Sequence, residues 1–293
     1  MNNRPQLARQ ALEAALKTRQ KYKIQLLEPV NVYDLAQKMG IEVWFLDAPS
    51  LEEIYFKTVP RTIIVSALRP PVRQTYNCAH GIGHSVFNHG DKINELMDEI
   101  RQSKQFDPEE FLADTFAGFL LMPKTCVDSG FASRGIDPAS CSEFDFYSVS
   151  CWLGVGYSTL IDHMVRSLRT MKAERAKKLS KFTPKQIRTA ILHEEITEDL
   201  IIVDTNWIGR AIDVQVGDLI LMPRGVEAEG QCVAFHKAHE NGLLFRATIP
   251  GMGRFFDMNN GWASYVRVAR RNFVGRTIFR HEEDPDYEST YLH

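Results

Sequence analysis

No run of apolar residues in this chain approaches the 18 that a bilayer span requires, and the opening stretch Met1-Asn-Asn-Arg-Pro-Gln6 has no apolar signal core. Cysteine is scarce and scattered: Cys78, Cys126, Cys141, Cys151 and Cys232 form no C-x-x-C pair, and their number is odd. That excludes the disulfide framework of a small secreted domain and fits reduced thiols in a cytoplasmic protein. Charge of one sign is also missing, since 35 Lys and Arg meet 37 Asp and Glu for a net charge of -2. No global field therefore favours nucleic acid or a membrane surface. Internal repeats and low-complexity segments are absent too. What remains is a chain of 293 residues, 44% hydrophobic and 25% charged, close to the globular average and long enough for one large domain or two ordinary ones.

The most telling absence is a single side chain. Residues 78–90 read Cys78-Ala-His80-Gly81-Ile-Gly83-His84-Ser-Val-Phe-Asn-His89-Gly90. Histidines at i and i+4 of a helix point two imidazoles the same way, as metal-binding pairs do. In the H-E-x-x-H motif the residue after the first histidine is a glutamate that serves as general base. Here Gly81 stands in that place, with no side chain to take a proton. On spacing alone, two unrelated histidines would read the same way.

A second segment changes the weighing. Asp107 and Pro108 open a helix expected to run to Met122 and stop at Pro123, with Phe111, Ala113, Phe116, Ala117 and Leu120 on an apolar face that would pack on the motif helix. A catalytic zinc takes three protein ligands and keeps an open position. Glu110, in the first turn of this helix, is the candidate third ligand, ahead of Glu109. A first-turn carboxylate also suits the helix dipole without any metal. Asp114, four residues on, is placed to accept a hydrogen bond from a liganding histidine and fix its tautomer.

Around these segments the pattern is mixed. Helices are expected at 6–22 and 31–39, the latter capped by Asn31 and ended by Gly40, followed by strands at 41–46, 53–57 and 62–66 and by the motif helix at about 72–88. Asp91 to Phe106 reads as a charged connector. Two helices joined by the turn Leu153-Gly-Val-Gly-Tyr157 fill 143–170, and a short helix starts near Thr183-Pro184. From about 196 strand-like runs punctuated by Gly and Pro take over: 201–203, 212–216, 218–222, 231–235, 243–249 and 263–269. The expected organisation is 1–142 as the domain holding the histidine pair, 143–195 as a helical segment, 196–280 as an all-β domain and 281–293 as an acidic tail.

The two motifs together, His80-Gly-Ile-Gly-His84 and Glu110-x-x-Ala113-Asp114-x-Phe116-Ala117-x-x-Leu120-Leu-Met-Pro123, resemble the ImmA/IrrE family of metallopeptidases. Its members typically read His-Glu-(Leu/Ile)-Gly-His, then Glu-x-x-Ala-(Asn/Asp)-x-Phe-Ala-x-x-Leu-Leu-Met-Pro. The layout of 32–73 and the turn Trp152-Leu-Gly-Val-Gly-Tyr-Ser158 are similar as well, so the resemblance spans about residues 5–190. It implies an α+β fold: a zincin-like, mainly helical metallopeptidase domain with a small N-terminal sheet, then the helical connector and the C-terminal all-β domain. It implies Zn2+ on His80, His84 and Glu110, and as partner a helix-turn-helix repressor under regulatory proteolysis in stress response or mobile-element control. The family glutamate falls on Gly81, so the general base does not carry over. General acid–base help of this kind is worth about 10²–10⁴-fold, which makes reduced hydrolysis with metal binding retained the expected outcome.

Three readings stay open at this stage. One is a zinc endopeptidase of reduced activity in which His89, Glu109 or Asp114 replaces the base. Another is a pseudopeptidase that holds a protein partner. The last is a DNA-binding regulator built on the helix–turn–helix-like stretch 146–168 and the basic run Arg166, Arg169, Lys172, Arg175, Lys177, Lys178 and Lys181, for which a solvated helix face is the plainer account. Cys78 reads as a small buried hydrophobe, and His236 and His239 as surface residues.

Overall fold

The structure, a computed structural model, describes residues 3–96 and 106–282. Residues 97–105 of the charged connector and the acidic tail from 283 onward lie outside the described residues. In chain order the first elements are α1 (Arg4–Lys21), α2 (Val32–Lys38), β1 (Ile41–Leu46), β2 (Leu51–Phe56), β3 (Arg61–Ser66), α3 (Pro71–Val86), β4 (Lys92–Glu95), α4 (Pro108–Leu121) and α5 (Lys124–Ala132). Four helices follow, α6 (Glu143–Leu153), α7 (Tyr157–Arg166), α8 (Ala173–Leu179) and α9 (Pro184–Leu192). The remaining strands are β5 (Leu200–Ile202), β6 (Ile212–Gln215), β7 (Leu219–Met222), β8 (Glu227–Glu229), β9 (Val233–His239), β10 (Gly242–Ala247), β11 (Gly251–Asp257), β12 (Trp262–Ala269) and β13 (Gly275–Arg276). The class is α+β. The chain divides into two compact units: Met1–Ser142 with Leu153–Lys181 and Val274–Thr277, and Glu143–Trp152 with Phe182–Phe273 and Ile278–His293. The segment expected as one helical connector, 143–195, is thus shared between them.

In the first unit a five-stranded sheet has the order β13-β1-β3-β2-β4. β1 runs parallel to β3, and the other pairs are antiparallel. Neither β4 nor β13 was expected from sequence; β4 forms inside the charged connector by pairing along β2. Asn31 caps α2 by accepting from the backbone N–H groups of Tyr33 and Asp34, and Gly40, at φ +68°, turns the chain into β1. α3 lies across β2 and β3 and packs against α4, which also packs on α1. Arg19 of α1 is fully buried, its guanidinium donating to the carbonyls of Leu120, Gln25 and Glu28 at 2.8 Å each. It thereby satisfies a carbonyl of the last turn of α4 that has no partner within its own helix.

This sheet has one irregularity, in β2. Along β2 and β4, Leu51 pairs with Glu95 and the next pair is Glu53 with Asn94, so β2 carries one residue more than its partner at Glu52. Strand side chains normally alternate between faces. The bulge breaks that alternation, and both Glu52 and Glu53 reach α3: Glu52 meets Arg73 and Asn77, and Glu53 meets His80.

The second unit has two four-stranded sheets, β5-β7-β10-β9 and β6-β12-β11-β8. Helix α6 is tied into it by the Tyr147 hydroxyl, which donates to the Leu200 carbonyl at 2.7 Å, and by the Trp152 indole N–H, which donates to the Asn206 carbonyl at 3.1 Å.

Candidate metal centre

Pro71 starts α3, where the missing N–H is harmless, and the buried residues Gln74, Asn77, Cys78, Ile82 and Ser85 set its inner side. Cys78 is buried as a small core residue. His80 and His84 project one turn apart with ring centroids at 4.6 Å and planes at 88°. Asp107 caps α4 through the N–H groups of Glu109 and Glu110, holding Glu110 in the first turn. What brings Glu110 to the histidines is the close crossing of the two helices. A Cβ added at Gly83 would lie 3.0 Å from the backbone of Ala113, so only glycine lets α3 and α4 approach this far.

The result is convergence. His80 Nε2 lies 3.4 Å from Glu110 Oε2, and His84 Nε2 lies 3.6 Å from Glu110 Oε1. Both are longer than good hydrogen bonds. They match instead the roughly 3.3 Å separation of ligands around a tetrahedral metal with bonds of about 2.0–2.1 Å. His84 is fully buried and its Nε2 has no hydrogen-bond partner. An orphaned buried imidazole nitrogen is costly unless something else engages it. The donor set of two imidazoles and a carboxylate suits a divalent metal.

Sequence reasoning missed Glu53. Its side chain is buried, its Oε1 lies 2.5 Å from His80 Nδ1 and accepts from Asn94 Nδ2 at 3.3 Å, while its Oε2 has no partner. Glu53, His80 and His84 also qualify as a metal-binding set, one ligand atom from each lying within 4.8 Å of the others. This set overlaps the one with Glu110, and the two compete for His80, which has one nitrogen for each side. With Glu53 on Nδ1, Nε2 is the atom left facing Glu110 and His84.

Electrostatics follow this geometry. Burial by itself lowers the His80 pKa, but the Glu53 and Glu110 carboxylates overcome it and hold the imidazole up at about 9. Burial likewise raises Glu110, yet His84, His80 and Lys92 outweigh it and bring that carboxyl down to about 2. His89 is lowered by burial and by His84, whose Nδ1 lies 2.8 Å from His89 Nδ1.

The side chains considered as substitutes for the missing base are each engaged elsewhere. Glu109 pairs with Lys92 Nζ at 2.7 Å, and His89 meets the outer nitrogen of His84. Asp114, expected to hold a histidine, accepts the Tyr76 hydroxyl at 2.7 Å; the carboxylate on His80 Nδ1 is that of Glu53. Burial and Asp114 together raise the Tyr76 pKa well above its usual value. Gly81 is buried against β3, where an added Cβ would meet Ile63 Cγ1 at 2.9 Å and Cδ1 and Cγ2 at 3.0 Å. The room a side chain at 81 would need is filled by Ile63.

Residues 36–133, which run from within α2 through α5 and hold the whole site, match the peptidase family described as the IrrE N-terminal-like domain. No curated protein matches the chain.

Proposed function

We propose that this chain uses an IrrE N-terminal-like metallopeptidase fold to hold one zinc ion on His80, His84 and Glu110 and to bind a protein segment there without hydrolysing it efficiently. The observation that carries the reading is the pairing of Gly81 with Ile63. Position 81 has no proton acceptor, and the space where one would lie is occupied by a branched side chain. A zinc ion held here would supply Lewis-acid polarisation of a carbonyl oxygen. The chain's own residues bind and orient. His80 and His84 present Nε2 atoms, Glu110 presents its carboxylate, and Lys92, 3.6 Å from Glu110 Oε1, balances the local negative charge. Of the side chains considered as a substitute base, Glu109, His89 and Asp114 each have a partner, and Glu53 lies on the outer nitrogen of His80.

The partner suggested by the family resemblance is a helix-turn-helix repressor, and the role is regulatory retention in a cytoplasmic setting. Among the described residues no helix is long and apolar enough to cross a membrane. A direct DNA-binding role is less favoured. Arg166 pairs with Asp162, and Arg175 donates to the carbonyls of Pro138 and Cys141, so part of the basic run is committed within its own unit.

The test uses the purified chain with zinc and a candidate repressor. The expected result is about one zinc per chain, lost in His80→Ala, with retention of the repressor and no cleavage. Gly81→Glu combined with Ile63→Ala, which makes room for the acid, is expected to raise cleavage. Cleavage by the unaltered chain that His80→Ala removes would overturn the reading.

A further inference from the structure

Building on the zinc reading above, we infer that Glu53 is a positioning residue for the metal centre: it fixes His80 as the Nδ1–H tautomer and aims Nε2 at Glu110.

A regular β2 would turn only one of two consecutive residues toward α3, but the extra residue at Glu52 turns both. The motif helix does not need the second carboxylate for its attachment to the sheet. Glu52 already accepts from Arg73 Nε at 3.0 Å and Asn77 Nδ2 at 2.8 Å and pairs with Arg69 Nε at 3.2 Å. Gln74 adds a bond to the Ala67 carbonyl at 2.9 Å. Glu53 has no such role: it is 2% exposed, its Oε2 has no partner, and its shortest contact is the 2.5 Å approach to His80 Nδ1.

Burying a carboxylate with half its acceptor capacity unused is unfavourable for the fold taken alone. The arrangement becomes intelligible as support for a ligand. A carboxylate on the outer nitrogen of a metal-binding imidazole fixes ring orientation and raises ligand basicity. His84 receives a different kind of support, from the His89 imidazole on its Nδ1. The two ligand histidines are therefore held asymmetrically, and the charged support comes from the sheet.

The experiment measures zinc affinity of the full chain by chelator competition in wild type, Glu53→Gln and Glu52→Gln, each confirmed folded by a single cooperative melting transition. Imidazole nitrogen shifts of His80 are recorded alongside. The Glu53→Gln variant keeps an acceptor oxygen but loses the charge. The expected outcome is one zinc per chain in all three, with affinity about 10–100-fold weaker in Glu53→Gln only. The His80 Nδ1–H signature should weaken in that variant and persist in Glu52→Gln. Equal affinity in wild type and Glu53→Gln overturns the inference while leaving the zinc site standing. Loss of zinc stoichiometry in Glu53→Gln, as expected for His80→Ala, also overturns it by making Glu53 a ligand. A wild-type chain that binds no zinc removes the premise, which the other outcomes leave intact.

Discussion

The two halves of helix α3 meet the same strand through two neighbouring carboxylates, and they are treated in opposite ways. The first half, through Arg73 and Asn77, engages Glu52, whose oxygens are both used. The second half, through His80, engages Glu53, which has one oxygen left over, while His84 carries an unpartnered Nε2. A saturated buried network fastens a helix to a sheet; an unsaturated one leaves donors and acceptors that a further group can engage. The contrast separates the part of α3 that is scaffold from the part that is site, within sixteen residues of one helix.

Changing Glu52 tests that division most severely. Glu52→Ala removes the carboxylate shared by Asn77, Arg69 and Arg73 and should lower stability by about 3 kcal/mol in urea denaturation, with the zinc affinity of the remaining folded molecules unchanged. Equal loss of zinc affinity would mean the halves are not separable. Next comes crowding in the second half. Gly81→Glu pushes a Cβ to 2.9 Å from Ile63 and should cost roughly 1–3 kcal/mol, and a double-mutant cycle with Ile63→Ala should show strong favourable coupling. Additive effects would show that the two positions do not share space. Gly83→Ala, 3.0 Å from the Ala113 backbone, should loosen the α3–α4 crossing by about 1–2 kcal/mol and weaken zinc binding through Glu110 more than it weakens the fold.

The mildest effect concerns pH in the metal-free chain. His80 is held at about 9 in the folded state, above the ordinary histidine value of about 6.5. Its contribution to stability is therefore full below about pH 6.5 and lost as pH rises through about 9. Melting temperatures across that interval should fall in wild type and flatten in Glu53→Gln. A parallel decline in both would assign the effect to other groups.

The sequence made some of this legible. The i, i+4 histidines, the Asp107-Pro108 helix start, the Asn31 cap and the Gly40 turn are local signals, and each element formed within a few residues of its expected place. Two strands of the first sheet escaped because they depend on distant pairing. β13 joins β1 through Trp44 opposite Arg276, far apart in the chain, and β4 is a short run that gains its strand character only by lying along β2. Glu53 escaped for a related reason. Period-2 reading of Leu51-Glu-Glu-Ile-Tyr-Phe56 cannot reveal a bulge, so it cannot say that two adjacent glutamates share a face. Asp114 was chosen by helical spacing from Glu110, which fixes its side of α4 but not that Tyr76 would meet it. Lys124–Ala132 went unnoticed because Pro123 reads as a stop, although it also serves as the N-cap of the next helix.

The packing of Ile63 on Gly81 has an evolutionary corollary. An acid at 81 is obstructed while Ile63 is present, and shortening Ile63 beside glycine opens a hole in the core, which costs about 2–5 kcal/mol for Ile→Ala. Each single step toward a glutamate there costs stability, one by crowding and the other by leaving a hole. The two residues act as a ratchet: once both are in place, selection on stability alone keeps the chain from drifting to a proton-accepting site.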